Sequence, residues 1–294
     1  MNALHALLNG VVDYAGLFPP AALSMTEAVQ NYARYLQDDS RWALARFVVP
    51  VARLQEFFDS FYALPSDSRN QIWLLSALAG NDVESDLKRI DEFNARFSCD
   101  ALIDAIELKA ASVDEILRLS VPKSLATYVE IPIAQNPEAL IEALARKGFR
   151  AKARTGGVSA EAFPSPEQLA RFIFLCAKRQ TPFKATAGLH HPIRASYRLT
   201  YEPDSPSGTM FGFLNVLLAA VFALEGMSEA DLAALLSETS PEAFHFDDGT
   251  ARWRSFVAQT DAIERARAQF AISFGSCSFE EPIADLKNLQ LLER

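Results

Sequence analysis

With 294 residues, 50% of them hydrophobic and 22% charged, the chain can bury a core that needs neither disulfides nor a structural metal. A formal charge of −9 excludes attachment to nucleic acid through non-specific phosphate contacts. The three cysteines, Cys99, Cys176 and Cys277, are scattered and form no CxxC pair, which argues against a disulfide framework and a structural zinc centre. Cys99 and Cys176 lie in apolar runs and read as core fillers.

The first residues, Met-Asn-Ala-Leu-His-Ala-Leu-Leu, lack the basic segment and cleavage pattern of a secretory signal. β-like runs then recur at Val11–Phe18, Ala43–Val51, Gln71–Ala79, Ala101–Ala110, Leu125–Ile133, Arg150–Gly156, Pro182–Leu189 and Phe270–Gly275. Helical patterns separate them. Ser24-x-x-Glu27 and Ser112-x-x-Glu115 read as capping boxes, and Ser165-Pro166-Glu167-Gln168 adds proline at the first helical position. Eight strand–helix alternations in this length predict an α/β fold, a closed (β/α)8 TIM barrel filling residues 1–294 as a single domain. The rival, an open doubly wound sheet, would carry a Gly-rich turn after its first strand, and none follows Phe18.

The connection between strands seven and eight is long. About 80 residues lie between Leu189 and Phe270, where a barrel needs roughly 20. A helical insert is expected over about 192–268. It holds the Pro/Ser-rich loop Glu202–Gly208 and helices at Met210–Glu225, Ser228–Ser237 and Arg252–Gln269. The run Phe211–Leu224 is apolar nearly all round and must be buried, within its own chain or in a homodimer contact. At 14 residues with Asn215 inside, it is too short to span a bilayer. A cytoplasmic protein with no membrane or nucleic-acid partner is the expectation.

Strand side chains alternate in direction. With apolar faces turned to the helices, Glu107 and Lys109, Glu130, Lys152 and Arg154, and Lys184 and Thr186 would point into the lumen near its C-terminal mouth. Active sites of such barrels sit there. Lysine is depleted in strand interiors, so strands that spend inward positions on it read as the lining of a site. Burial and a neighbouring cation both lower a lysine pKa, and a neutral amine can form a Schiff base with a carbonyl compound. Lys152 is the candidate nucleophile, with Lys184 beside it and Glu130 or Glu107 to move protons.

Beyond the strands, Gly275, Ser276 and Ser278 before the last helix could hold an anion, with Thr155-Gly156-Gly157 offering further amides. Equally, Ser278 could simply cap that helix, with Glu281 completing a capping box. His190 and His191 follow strand seven. Adjacent strand residues face opposite ways, so one of them, His190, is expected inside as an acid–base or binding group. The surrounding cations would repel a metal ion, and no metal or cofactor is expected. His5 and His245 have no convergent neighbours.

Lys152-x-x-Thr155-Gly156, Lys184-Ala-x-x-Gly188 and Gly275-Ser276-x-Ser278 resemble the class I aldolase barrels, closest to deoxyribose-phosphate aldolase. The resemblance covers about Arg150–Gly188 and a short piece near Gly275. It implies that Lys152 forms the Schiff base, Lys184 lowers its pKa, and Gly275 to Ser278 hold phosphate. Asp13 matches an acidic residue early in that family. Arg154, the His190-His191-Pro192 triplet and the long insert lie outside the family pattern and imply a different substrate. As a whole the chain resembles a bacterial protein group with Asp-Tyr-Ala-Gly-Leu-Phe-Pro-Pro near the start, which implies no particular activity.

The leading expectation is therefore a lyase of class I aldolase type acting on a small anionic or carbonyl metabolite. Two alternatives stay open. One is an isomerase or metal-assisted lyase or hydrolase using a Glu/His/Lys set at the mouth. The other is a barrel that only binds an anionic metabolite.

Overall fold

The computed structural model describes residues 2–292. Eight parallel strands close a barrel. They are β1 (Val12–Tyr14), β2 (Leu44–Pro50), β3 (Trp73–Leu78), β4 (Ala101–Lys109), β5 (Ala126–Glu130), β6 (Arg150–Arg154), β7 (Phe183–Thr186) and, last in the chain, β13 (Ala271–Ser276). Each strand pairs with its sequence neighbour, and β13 closes the ring between β7 and β1. This is the (β/α)8 arrangement expected, with every strand at its expected place; the first seven are shorter than expected and the last is shifted by one residue. The open-sheet rival is set aside by the β13–β1 pairing.

The outward faces are apolar and buried under the helices, as with Ile106, Leu108, Val129, Ala151, Ala153, Phe183 and Ala185. The largest aromatic cluster, Tyr32, Phe47, Phe57, Phe61 and Trp73, packs between the first strands and their helices. Each such ring contributes about 1.5–3 kcal/mol by leaving water. Caps read from the sequence start the helices: Ser24 and Ser165 form full capping boxes with Glu27 and Gln168. Ser112 accepts the Glu115 amide, but the Glu115 carboxylate reaches back to Ala111 rather than Ser112.

The β7–β13 connection departs from the helical insert expected. It is mixed, with an antiparallel hairpin β8 (Ala195–Arg198) and β9 (Ser207–Met210) around the Pro/Ser-rich loop. Helices Phe213–Leu224 and Glu229–Leu236 follow. Next comes a three-stranded sheet of β10 (Phe244–Phe246), β11 (Thr250–Trp253) and β12 (Phe256–Gln259). The helix predicted over Arg252–Gln269 is confined to Thr260–Gln269. Ahead of it, Ala251 and Trp253 face inward while Arg252 and Val257 face out, a two-residue period, and Arg254 takes the positive φ of 53° that reverses the chain. Helix Phe213–Leu224 is buried along its length to Ala223, against its own chain. Among the described residues no helix is long and apolar enough to cross a membrane. Cys176 is buried as expected, but Cys99 is exposed after the helix ending at Phe97.

Candidate active site

Parallel register sets the site. Lys152 lies opposite Lys184 across β6–β7, and Glu130 opposite Lys152 across β5–β6. Their side chains meet Glu107 from β4 and Asp13 from β1 in the lumen. Glu107 is the bridge: its Oε1 accepts from Lys184 Nζ at 2.7 Å, and its Oε2 lies 2.8 Å from Lys152 Nζ. Lys184 Nζ also donates to Asp13 Oδ2 at 2.5 Å. Lys152 Nζ lies 2.9 Å from Glu130 Oε2, and Arg154 Nε lies 3.3 Å from Glu130 Oε1. Ser76 donates to Glu107 at 2.7 Å, Ser273 to Asp13 at 2.6 Å, and the Arg46 amide to Asp13 at 3.1 Å.

These contacts differ in quality. Both bonds of Lys184 have hydrogen-bond direction. The two contacts of Lys152 are ion pairs by distance only, and Glu130 Oε2 has no well-directed donor. Thus Lys184 is clamped between Asp13 and Glu107, and Lys152 sits in short ion pairs with Glu107 and Glu130.

The charge balance departs from the crowd of cations expected. Asp13 supplies a third carboxylate, so Asp13, Glu107 and Glu130 offset Lys152, Lys184 and Arg154. Burial would depress the Lys184 amine, but Asp13 and Glu107 outweigh it and hold Lys184 above the usual lysine range, as a cation. Burial opposes ionisation of Glu107 too, yet the charges of Lys152 and Lys184 hold it well below the carboxylate range. Glu130 is lowered in the same way: burial opposes, and Lys152 and then Arg154 prevail.

A cavity of about 270 Å³ opens above the cluster at the C-terminal mouth. Glu107, Lys152, Arg154, Lys184, Thr186 and His190 line it, with Gly157, Gly275 and Cys277 around the rim. Arg154 is half-exposed at its edge. Lys109 is exposed and belongs instead to a neighbouring groove of about 640 Å³, which Arg154 and Glu130 also border.

Thr155 and Gly156 are not part of the cavity wall. The buried Thr155 hydroxyl donates to the Ala187 carbonyl at 2.6 Å. A Cβ on Gly188, where φ is 71°, would stand 2.9 Å from Gly156 Cα, and one on Gly156 would strike Phe163. These glycines let the loops after β6 and β7 touch. Ser278 Oγ accepts the Glu281 amide at 3.1 Å, the capping reading. The Glu281 carboxylate does not complete a capping box. It turns to His190, 3.3 Å away.

His190 is buried on the cavity side, and His191 stacks on Tyr197 with its Nδ1 2.6 Å from Asp285 Oδ2. Burial would depress His190, but Cys277 and Glu281 together raise it to about 9. Sequence reasoning missed Ser76, Ser273, Cys277, Glu281 and Tyr201 as neighbours of the site. Only the Cys277–Glu281 spacing at the start of a helix, one turn apart, carried a signal.

The fold and this mouth define a (β/α)8 barrel whose C-terminal end holds an ion-paired two-lysine cluster beneath a small cavity. No family model, curated protein or solved structure matches the chain.

Proposed function

We propose that the protein is a lyase of class I aldolase type, acting on a small carbonyl metabolite through a Schiff base on Lys152. The observation that carries this reading is the Glu107 bridge, which joins Lys152, at the cavity, to Lys184, shut away on Asp13. The Lys152 ammonium passes a proton to Glu130 or Glu107 as substrate displaces water. The free amine adds to the carbonyl carbon, and the carbonyl oxygen departs as water. Ammonium and carbonyl thus become protonated imine and water. Glu130, ionised again once the imine and water have formed, takes the proton of a β-hydroxyl. The C–C electron pair flows into the imine, releasing an aldehyde and leaving an enamine, which that carboxyl protonates at carbon and water hydrolyses to free Lys152 and the ketone product. Arg154, at the cavity edge, and Thr186 would hold an anionic end of the substrate. The 270 Å³ volume suits a small metabolite.

The resting charge state supports a second use of the same groups. Lys152 between two ionised carboxylates is also placed for proton transfer next to a carbonyl, an isomerase reaction without a covalent step. Borohydride trapping with a panel of small aldehydes and ketones separates the two. The lyase reading expects a secondary-amine adduct in the intact mass that is lost in Lys152→Ala. No adduct, or one that survives the substitution, overturns it. Solvent deuterium entering a ligand without any adduct supports the isomerase.

A further inference from the structure

Cys277 occupies a position that the lysine chemistry does not use. It follows β13, is buried at 5% exposure, and lines the same cavity as Lys152. Its Sγ lies 3.9 Å from His190 Nδ1, and that nitrogen is also 3.3 Å from Glu281 Oε2 and 3.4 Å from Ser276 Oγ. Tyr201 donates to Glu281 Oε2 at 3.2 Å, with its hydroxyl 3.6 Å from Cys277 Sγ. His190, Tyr201 and the chain's own 276–281 segment thus converge on one sulfur that lines the cavity.

We propose that Cys277 is a thiolate nucleophile, paired with the His190 imidazolium and oriented by Glu281 and Tyr201, that takes small uncharged carbon electrophiles entering the cavity. This makes the mouth a two-nucleophile site, and the inference does not depend on Schiff-base formation at Lys152. An alkyl halide amide illustrates the step: the Sγ–C bond forms as the C–I bond breaks, and iodide leaves with the electron pair.

The facing groups favour the ion pair. Burial works against ionisation of Cys277, but His190 and then Tyr201 outweigh it and lower the thiol pKa. The same pairing lifts His190 to about 9, which favours a protonated imidazole beside the sulfur. Across the cavity Lys152, Lys184 and Arg154 add positive field, while Glu281 and the Tyr14 hydroxyl are the opposing acidic groups. His191, 3.9 Å from Glu281, is the remaining titratable neighbour.

Iodoacetamide alkylation of the full chain, followed by peptide mass mapping at pH 6, tests this with the exposed Cys99 as internal reference. An ordinary thiol is almost wholly protonated there, so Cys277 should react roughly tenfold faster than Cys99 despite its burial. His190→Gln should bring that ratio to about one or below. A second readout needs no variant of His190: the ultraviolet absorbance of a thiolate at pH 6 should be present in the wild type and lost in Cys277→Ser. A Cys277 rate no greater than that of Cys99, or equal absorbance in the two proteins, overturns the proposal. A failed borohydride trap alongside fast Cys277 alkylation would reject the Lys152 chemistry and leave this one standing.

Discussion

Lys184 and Lys152 are neighbours in register, yet they occupy opposite kinds of environment. Lys184 is 1% exposed and makes two directed hydrogen bonds, one to Asp13 and one to Glu107. Lys152 is 5% exposed, lines the same cavity as Lys184, and lies 2.8 Å from Glu107 and 2.9 Å from Glu130. The difference teaches how a barrel can hold two lysines in one charged lumen with different sets of carboxylate partners. One amine is fixed as a permanent cation that organises the carboxylates. The other is left with partners that can release it.

The strongest way to break this comparison is to remove each amine in turn. Lys184→Met leaves Asp13 with no paired cation in a buried space and should cost about 3–5 kcal/mol of unfolding free energy. Lys152→Met leaves Glu107 still paired with Lys184 and Glu130 with Arg154, and should cost only about 1–2 kcal/mol. Equal costs in urea denaturation would erase the distinction between structural and reactive lysine.

Removing the charge opposite Lys184 sharpens it. Asp13→Asn should cost about 2–3 kcal/mol alone, because it breaks a charge-assisted bond and weakens the Ser273 contact. Asp13→Asn combined with Lys184→Met should lose less than the sum of the two, since each substitution removes the other's stranded partner. Strict additivity would show that the pair does not act as a unit.

Acid titration gives a smaller effect. The Glu107 carboxyl sits below its unfolded value, so its stabilisation is complete above the ordinary glutamate range and is lost as pH falls through and below it. Wild-type stability should therefore decline from about pH 5 downward, and Glu107→Gln should flatten that slope. Lys184, raised above its unfolded value, contributes fully below the ordinary lysine range and loses its contribution only as pH climbs past it. His190, raised to about 9, adds its own loss as pH climbs from the ordinary histidine range towards that value. The Glu107 contribution is therefore read below about pH 5, where a slope unchanged in Glu107→Gln would contradict it.

The smallest effect on stability belongs to Arg154, half-exposed and reaching Glu130 at 3.3 Å. Arg154→Gln should change unfolding free energy by no more than about 0.5 kcal/mol. Once a substrate is found, it should raise KM for the anionic one severalfold with little change in kcat.

The strands and most caps were legible because they rest on local signals: apolar runs, glycine punctuation, and Ser-x-x-Glu or Ser-Pro-x-Gln starts. Side-chain alternation placed Glu107, Glu130, Lys152 and Lys184 on one interior surface, and the structure brings them into contact. The charge state of Lys184 was not legible, because its partners come from 171 and 77 residues away. Alternation says which way a side chain points, not which opposite charge arrives across the lumen. The β11–β12 hairpin replaces the start of the helix expected over Arg252–Gln269 because that stretch also suits a helical period, and its strand signal is the Ala251–Trp253 alternation around Arg252. Cys277 escaped notice because His190, Tyr201 and Glu281 come from separate loops that only the closed barrel gathers.

The touching glycines after β6 and β7 have a consequence for anyone who redesigns this mouth. At residue 188 a methyl group would press on the Gly156 backbone and push apart the loops after β6 and β7, and at residue 156 it would displace the Phe163 ring. Val158, 48% exposed on the cavity rim, and Phe18 on the opposite wall offer freedom instead. Selectivity can be retuned at those positions while the seam that keeps the amines side by side stays closed.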